Sequence, residues 1–472
     1  MSSRLRNFVG GTHVESADID YDDIVDPSTG TTYLSAPSSG AVEVDLAMQA
    51  AADAFEEWHC TTPAERQRVL LRIADALDTR AAELMSAELR NTGNRAAGAE
   101  LPVMADQLRF FAGAARLLDG RSAGEYMPGH TSYIRREPLG VCAQLAPWNY
   151  PLMMAILKST PAIAAGNTVV LKPAETTPTT ALMFAELVAE FLPPGVLNVI
   201  CGGAETGRLM VEHGTPRMVS LTGSVATGID VARVAAADLK RVHLELGGKT
   251  PVIVCADADL AEATRTIVAA GYGNAGQDCT ASGRVLAARE IYDDLVDALT
   301  AAAQACHTGP PADPATSYGP LNNARQLDRV SMFLHRLPPH ARVVTGGGRV
   351  GDVGYFFAPT VVANVRHADE ISSEEVFGPV ITVQPFDTEQ DAIRFANGVC
   401  QGLASSVWTT DHARAMRLSR RLDFGTVWVN THLMFPSEMP HGGFKRSGYG
   451  KDLSLYCLED YTRMKHVMHR FQ

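Results

Sequence analysis

VCAQLAPWNYPLMMAILKSTPAIAAGNTVVLK, residues 141–172, is the stretch that decides the fold of this 472-residue chain. A short β-rich run, VCAQLA, is followed by a proline turn, a Leu- and Ala-rich helical stretch and a second β-rich run, TVVLK. The alternation continues through VLNVI, RMVSLTG, VHLEL and PVIV. Strands that alternate with helices predict a mostly parallel sheet with helices on its faces, so the fold class is α/β.

The segments on either side of this stretch extend the same pattern. Residues 46–119 carry apolar side chains at three- and four-residue spacing and predict helices, with Thr62 before Pro63 as a helix start. After Gly273, the runs VTGG, GYFFAPTVV, VFGPVITVQPF and GTVWVN predict a second set of strands. Two α/β domains in series are the simplest interpretation. The tail, residues 461–470, alternates weakly and predicts an exposed strand that pairs with another subunit.

Composition narrows the class of protein. A hydrophobic content of 46% and a charged content of 20% are typical of a globular protein, and the length predicts two or three domains. The formal net charge of −12 argues against a nucleic-acid partner. No apolar run reaches the about 18 residues of a membrane span, and the N-terminus lacks a signal-peptide core, so a cytoplasmic protein is expected. The eight cysteines form no CxxC pair, which predicts neither a disulfide framework nor a metal site.

Two motifs contain residue types that catalyse reactions. In GNAGQDCTASGR, residues 273–284, Cys279 lies among small residues that let a ligand approach the backbone. Taken alone, however, a free cysteine is more often buried and inert. In LELGGK, Glu245 lies between two leucines at the end of a strand, where burial raises a carboxyl pKa toward the range of a general base. The alternative is an exposed glutamate at a strand-end turn.

Three further motifs follow predicted strands. The two prolines of APWNYP fix a rigid turn, which holds the Asn149 amide as a hydrogen-bond donor to an oxyanion. LKPAETTP places Lys172 and Glu175 just past the carboxyl end of a strand, where open α/β sheets bind ligands. LTGSVATG, residues 221–228, runs from a strand through a glycine turn into a helix whose N-terminus suits a phosphate, although it is not GxGxxG.

Taken in this order, the five motifs resemble the aldehyde dehydrogenase superfamily, and the resemblance spans nearly the whole chain. It includes EEVFGP at residues 374–379, GTVWVN at residues 425–430 and the separation between Glu245 and Cys279. The chain is therefore identified as a member of that superfamily, with its fold: a Rossmann-like NAD-binding domain, an α/β catalytic domain and a small β element for oligomerisation.

The resemblance implies a catalytic role for four residues. Cys279 is the nucleophile that forms a thiohemiacetal and then a thioester with the aldehyde. Asn149 and the Cys279 backbone N–H stabilise the oxyanion, and Glu245 activates the water that hydrolyses the thioester. Covalent capture by a thiolate divides one difficult step into two easier ones. Lys158 occupies the position of a family lysine near the active site.

The resemblance also implies NAD as the cofactor. A carboxylate at Glu175, beside Lys172, would accept hydrogen bonds from the ribose 2′-hydroxyl and repel a 2′-phosphate, which favours NAD⁺ over NADP⁺. Leu221 stands where the family usually has Phe and is interpreted as a packing change. The expected cofactor-binding residues are Trp148, Lys172, Glu175, Gly223, Ser224, Leu246, Glu375 and Phe377.

Domain boundaries follow from the same resemblance. Residues 1–119 and 140–246 are expected to form the NAD-binding domain, and residues 247–450 the catalytic domain. Residues 120–139 and 451–472 are expected to form the oligomerisation domain, so a homotetramer or homodimer is expected.

Within the superfamily, residues 123–141, GQDCTA and the long segment 429–452 resemble bacterial γ-aminobutyraldehyde dehydrogenases. The expected substrate is then 4-aminobutanal, from putrescine degradation, and the product 4-aminobutanoate. Carboxylates or aromatic faces should bind the ammonium group of this aldehyde. The candidate substrate residues are Tyr150, Phe435, Glu100 and Asp106.

The match to aminoaldehyde enzymes is incomplete, and several alternatives stay open. Val103 stands where plant relatives have a second acid, and Leu157 replaces a tryptophan that is common in those relatives. Glu100 and Asp106 would equally suit a solvated helix face. Other aldehydes remain alternatives: betaine aldehyde, another ω-aminoaldehyde or a semialdehyde. A CoA-acylating enzyme is disfavoured by Glu245, and a non-catalytic binding or structural protein on this fold is disfavoured by the intact motif residues.

Overall fold

The computed structural model describes residues 3–15, 19–95 and 97–471. Its strands, in chain order, are β1 Ser3–Arg4, β2 Asn7–Val9, β3 Thr12–Val14, β4 Tyr21–Asp26, β5 Thr31–Pro37, β6 Gly124–Met127, β7 His130–Pro138, β8 Val141–Leu145, β9 Thr168–Lys172, β10 Leu197–Val199, β11 Met218–Gly223, β12 Arg241–Leu246, β13 Pro251–Val254, β14 Arg284–Ala288, β15 Arg342–Thr345, β16 Thr360–Ala363, β17 Val380–Phe386, β18 Gln401–Gly402, β19 Ala404–Trp408, β20 Thr426–Val429, β21 Phe444–Lys445, β22 Gly448–Tyr449 and β23 Thr462–Arg470.

The α-helices are α1 Ala41–Trp58, α2 Pro63–Thr79, α3 Ala81–Thr92, α4 Ala97–Ala114, α5 Pro151–Ala164, α6 Thr179–Ala189, α7 Ala204–Glu212, α8 Val225–Ala235, α9 Leu260–Tyr272, α10 Tyr292–Ala305, α11 Ala324–His335, α12 Glu370–Ser373, α13 Glu389–Asn397, α14 His412–Arg421 and α15 Ser454–Asp460. In the part of the chain that the structure describes, no helix combines the length and apolarity that a membrane crossing requires.

The first large sheet contains both strands of residues 141–172. Its eight strands lie in the order β22-β12-β11-β8-β9-β10-β2-β3. The five central strands are mutually parallel, and helix α5 follows β8 as the alternation predicted. Strands β8 and β9 are fully buried, because helices cover both faces of a parallel sheet. The α/β fold class is confirmed.

The second large sheet has the order β15-β16-β17-β14-β13-β19-β20, and its strands are parallel apart from β15. Two expected strands are shorter or shifted. Of GYFFAPTVV only the end forms a strand, at Thr360–Ala363, since Pro359 lacks the N–H that a ladder needs. VTGG contributes its first two residues to Arg342–Thr345, and the two glycines lie outside the strand.

The helical prediction for residues 46–119 needs one correction. The region contains separate helices, and the last ends at Ala114, so residues 115–119 are not helical. The break after the first helix comes where Thr62 caps α2. Its hydroxyl oxygen accepts a hydrogen bond from the Glu65 N–H, and the Glu65 carboxylate accepts one from the Thr62 N–H.

The tail forms the predicted exposed strand, but its observed partner is in the same chain. Strand β23 pairs along its length with β7, from Thr462 opposite Pro138 to Arg470 opposite His130. The resulting sheet has the order β23-β7-β6. Within the described residues, the other edge of β23 has no partner strand. The sequence alone does not show this pairing.

A short strand from a distant part of the chain forms one edge of the first large sheet. Strand β22 lies far along the chain, yet it pairs with β12 in the first sheet, Glu245 opposite Gly448. The backbone N–H of Leu246 also donates to the Ser447 carbonyl, at 3.0 Å. The segment that follows the second sheet thus covers the end of β12, where Glu245 lies.

Candidate active site

Glu245 lies near the end of β12 and is 4% exposed. Gly442 packs against its carboxyl group: a Cβ there would lie 2.5 Å from Oε1. Burial raises the pKa of Glu245 well above its ordinary value, and the Asp452 carboxyl raises it further, whereas Lys451 and Lys158 lower it. The exposed alternative for this glutamate is wrong, because β22 and its flanking segment cover it.

Cys279 follows a tightly folded segment. Asn274 and Ala275 both adopt left-handed backbone conformations, with φ of 48° and 56°. The Gln277 side chain donates to the Asn274 carbonyl at 2.9 Å and accepts from the Asn322 N–H at 2.8 Å. Cys279 itself is half-buried. Burial raises the pKa of its thiol well above the ordinary value, and the Asp278, Glu375 and Glu245 carboxyl groups act in the same direction.

Asn149 is bound directly to the cysteine segment. Its Nδ2 donates to the Gln277 carbonyl at 3.0 Å, and its own carbonyl accepts from Asn274 Nδ2 at 2.9 Å. These contacts join residues more than 120 positions apart. They hold the buried Asn149 amide against Gln277, which lies two residues before Cys279. The second Nδ2 hydrogen stays available to an oxyanion.

Lys158 lies on α5 and is completely buried. Its Nζ donates to Ser220 Oγ at 3.0 Å. Burial lowers the pKa of Lys158, while the Asp452 and Glu245 carboxyl groups raise it. The lysine therefore belongs to the group of ionisable side chains around Glu245.

The expected phosphate site lies where β11 meets α8. Gly223 ends the strand, and Ser224 is the N-cap of the helix: its Oγ accepts from the Thr227 N–H at 3.1 Å. Ser224 is exposed, so the helix N-terminus is open to a ligand. Leu246 and Leu221 both lie in the apolar core cluster beneath α8, which fits the interpretation of Leu221 as a packing residue.

Lys172 and Glu175 lie at the end of β9, as expected. The Lys172 Nζ is buried and donates to the carbonyls of Gly202 at 2.8 Å and Pro173 at 3.0 Å. Burial lowers its pKa, whereas Glu175 raises it. Glu175 lines a surface cleft with Asp23 and Asn323. Of this pair, the Glu175 carboxylate is the group left open to a ribose hydroxyl.

Glu375, Phe377 and Trp148 border the catalytic residues. Glu375 Oε1 accepts from the Gly248 N–H at 2.9 Å, and burial raises the Glu375 pKa to about 7. The Phe377 ring stands edge-on to Trp148, with centroids 5.3 Å apart. Since Glu375 also acts on the Cys279 thiol, this candidate cofactor residue and the candidate nucleophile lie in one site.

Tyr150 and Glu100 both interact with Asp278, the acidic residue directly before Cys279. The Tyr150 hydroxyl donates to Asp278 Oδ2 at 2.8 Å. Burial raises the Glu100 pKa to about 7, and the Asp278 carboxyl raises it too. Sequence reasoning singled out Tyr150 and Glu100 and passed over Asp278. The available signal was its position, directly before the candidate nucleophile.

Phe435 and Asp106 lie at a neighbouring loop. The Phe435 ring stands edge-on to Trp428, at 5.3 Å, and to His441, at 4.8 Å. Asp106 is exposed and accepts from Ser437 Oγ at 2.7 Å. Asp106 thus holds the loop that carries Phe435, whereas Glu100 accepts a hydrogen bond from Asn94 Nδ2 at 3.3 Å.

His243 and Asp452 are the other residues that sequence reasoning missed. Both are buried next to Glu245, and His243 Nε2 lies 3.3 Å from Asp452 Oδ1. His243 stands in a strand and Asp452 more than 200 residues later, so no local motif joined them. Within the described residues, no group of three His, Cys, Asp or Glu side chains is arranged to hold a metal ion.

Comparisons with known proteins agree with this geometry. The model of the aldehyde dehydrogenase family matches residues 13–467. The Bacillus subtilis (strain 168) protein named "Putative aldehyde dehydrogenase DhaS" is 37% identical over 471 residues, which cover 98% of this chain and 94% of that protein.

Two solved structures are similar over nearly their whole length. Betaine aldehyde dehydrogenase (betB) from Staphylococcus aureus, in complex with NAD⁺, is 34% identical with a TM-score of 0.97, covering 99% of this chain and 95% of that one. PnpE from Pseudomonas sp. WBC-3 is 35% identical with a TM-score of 0.96, covering 99% and 98%. With the family model matched over almost every residue, this chain belongs to the aldehyde dehydrogenase family.

Proposed function

We propose that this protein oxidises an aldehyde to a carboxylic acid with NAD⁺, using Cys279 as the nucleophile and Glu245 as the base. The observation that carries the proposal is the meeting of Cys279, Asn149, Glu245 and Glu375 in one site. The exposed helix N-terminus at Ser224 and the open carboxylate of Glu175 fit the pyrophosphate and a ribose of NAD⁺. When bound, NAD⁺ supplies the acceptor for the substrate hydride.

The chain's own residues perform the remaining chemistry. Cys279 Sγ attacks the aldehyde carbon, and Asn149 Nδ2 with the Cys279 N–H donates to the oxyanion. After oxidation, the acyl group remains on Cys279 as a thioester. Glu245 then takes a proton from water, the water oxygen bonds to the acyl carbon, and the carbon–sulfur bond breaks.

For the substrate we favour 4-aminobutanal. Glu100 and Asp278 form an acid pair: Asp278 directly precedes Cys279 and accepts a hydrogen bond from the Tyr150 hydroxyl, and its carboxyl group raises the pKa of Glu100. A cationic end group offsets the repulsion between two carboxylates that are partly removed from water, whereas a neutral aldehyde does not. The relatives include a betaine aldehyde dehydrogenase, so betaine aldehyde, another cation, is the second candidate.

The test measures NADH formation by absorbance and compares kcat/KM for 4-aminobutanal, betaine aldehyde, propanal and succinic semialdehyde. The Cys279→Ala variant should form no NADH with any of them. The highest kcat/KM for 4-aminobutanal supports the substrate assignment, and the highest value for betaine aldehyde replaces it. If propanal, which is uncharged, or succinic semialdehyde, which is anionic, has the highest kcat/KM, then the acid pair does not select the substrate.

The Glu100→Gln variant tests the acid pair directly. It should raise KM for 4-aminobutanal about ten-fold and leave KM for propanal within about two-fold, since only the first substrate carries a charge. Glu57→Gln is the control, because it removes the charge of an exposed glutamate on α1 that is not among the candidate substrate residues. Equal effects of Glu100→Gln on both aldehydes would contradict an ammonium site there.

We also propose that the β23-β7-β6 sheet, with residues 120–139 and 451–472, associates into a homodimer or homotetramer, while residues 1–119 with 140–246 and residues 247–450 form the NAD-binding and catalytic domains. The open edge of β23 and the exposed Met464, Met468 and Tyr126 support the association surface.

A further inference from the structure

His243 lies on β12 two residues before Glu245. Side chains at this spacing point to the same face of a strand, so both face the segment that covers β12. His243 is 1% exposed. Its Nε2 lies 3.3 Å from Asp452 Oδ1 and 3.9 Å from Glu245 Oε1. One ring nitrogen thus stands between two buried carboxyl groups.

The ring is tightly enclosed. Gly450, with φ of +95°, packs on the ring face: a Cβ there would lie 2.8–3.0 Å from its atoms, so the backbone itself covers the imidazole. Neither ring nitrogen of His243 nor Oε1 of Glu245 has a hydrogen-bond partner among the described side chains and backbone groups, so these buried polar atoms are left to one another. The titratable groups that surround this cluster come from β12, α5, α15 and the segment covering β12: Glu245, Lys158, Cys457, His441, Lys451 and Asp452.

The chemistry proposed for Glu245 creates a need that this cluster meets. Glu245 gains a proton in each hydrolysis, and its raised pKa, a result of burial and of Asp452, makes that proton slow to leave. The pKa of Asp452 is instead lowered, with His243 as the largest of the causes that act in that direction. Asp452 is therefore an ionised carboxylate next to an imidazole that reaches toward Glu245.

We propose that His243, stabilised by Asp452, receives the proton that Glu245 takes from water and so returns Glu245 to its basic form after each turnover. The inference rests on the proposed role of Glu245. The water O–H bond breaks and its proton goes to Glu245; it then passes from the Glu245 carboxyl to His243 Nε2. The imidazolium, paired with the Asp452 carboxylate, releases the proton later to solvent, and no electrons are transferred. His243 acts through Glu245 and is a positioning residue in this sense.

The decisive experiment uses rapid mixing of the full-length enzyme with NAD⁺ and the aldehyde that it oxidises best, over a range of pH. In His243→Gln the first turnover should keep its rate within about two-fold, because acylation does not use Glu245 as a base. Steady-state turnover should fall about ten-fold or more. A burst of NADH should precede the steady state. The acyl-enzyme thioester should accumulate and be detected by intact mass spectrometry. The basic form of Glu245 should also appear at higher pH than in the unsubstituted enzyme.

His340→Gln is the matched control, since His340 lies in the turn between α11 and β15, where its Nε2 pairs with Asp369 at 2.9 Å. It should change neither phase. Asp452→Asn, nearly the same shape as the original side chain, is the second variant and should slow deacylation in the same direction as His243→Gln. It keeps the inference testable if His243→Gln does not fold.

Two outcomes overturn the inference: a pH profile and steady-state rate of His243→Gln that superimpose on those of the unsubstituted enzyme, or an equal loss in both phases. Glu245→Gln, measured in parallel, separates the two levels of the proposal. If Glu245→Gln still deacylates at the normal rate, the proposed base is wrong. If it does not, while His243→Gln does, only the role of His243 fails.

Discussion

At Cys279, burial and three carboxyl groups all act on the thiol in the same direction. A thiol whose pKa lies well above its ordinary value of 9.0 is almost fully protonated at neutral pH in the protein without ligands. Formation of the thiolate must therefore be assisted by the bound ligands.

We therefore expect iodoacetamide to alkylate Cys279 more slowly than a free cysteine at pH 7, with a rate that still rises above pH 9. Peptide mass spectrometry separates Cys279 from the exposed Cys60 and Cys400, which serve as internal references. Faster labelling of Cys279 than of Cys60 at pH 7 would contradict the raised pKa.

At the scale of elements, Ser224 starts α8 and faces the expected pyrophosphate. Ser224→Ala should cost about 1 kcal/mol of stability through loss of the cap and should raise KM for NAD⁺ several-fold, because an anion-binding helix N-terminus loses its order. The matched control is Thr388→Ala, which removes a cap with the same 3.1 Å bond at the start of α13. The Thr388→Ala variant should lose a similar amount of stability, and its KM for NAD⁺ should be unchanged. A similar rise in KM for both variants would sink the prediction.

A second element-scale prediction concerns Glu88, which joins α3 to α5 and α6. Its carboxyl accepts from the Leu152 N–H at 3.2 Å and from the Thr180 hydroxyl. Burial raises its pKa from 4.5 to about 7, so the folded state holds this proton more tightly than the unfolded chain. The associated stability is complete below about pH 4.5 and is lost as pH rises through about 7, at most about 3 kcal/mol.

Glu88→Gln should therefore flatten the fall in the free energy of unfolding between pH 5 and about 8, measured by urea denaturation. Glu205→Gln, on an exposed helix surface, is the control and should leave the slope close to that of the unsubstituted protein. An unchanged slope in Glu88→Gln would mean that Glu88 does not titrate in this range.

For the whole molecule, the exposed apolar side chains of the β23-β7-β6 sheet predict self-association. Replacing Met464 and Met468, which are 69% and 45% exposed, with aspartate should shift the protein to a smaller species in light scattering. The control replaces Met332 on α11 and Met416 on α14, which are also exposed, with aspartate. This control should leave the mass unchanged. A monomeric unsubstituted protein would refute the association surface outright.

The sequence by itself determined the alternation of strands and helices, because burial on both faces of a parallel sheet and on one face of a helix leaves a period readable in consecutive residues. It also determined the family and the residues of each motif, since the β-strand that presents Glu245 and the turn that carries Asn149 are contiguous. The five central strands of the first sheet and α5 match their predicted positions closely, whereas PVIV, predicted in the same run of strands, forms β13 in the second sheet. The ends of strands were harder to predict. At Thr360, the buried aromatic side chains before the strand resemble strand residues in sequence.

Only the tertiary structure decided which distant residues meet. It joined Tyr150 to Asp278, His243 to Asp452, and the tail to β7 in the same chain. These pairs are separated by 128 residues or more, and no local period records a contact at that separation. The ionisation of Glu245 and Cys279 belongs to the same class, since burial and neighbouring charges set a pKa and both arise only when the segments around residues 245, 279 and 452 close on one another.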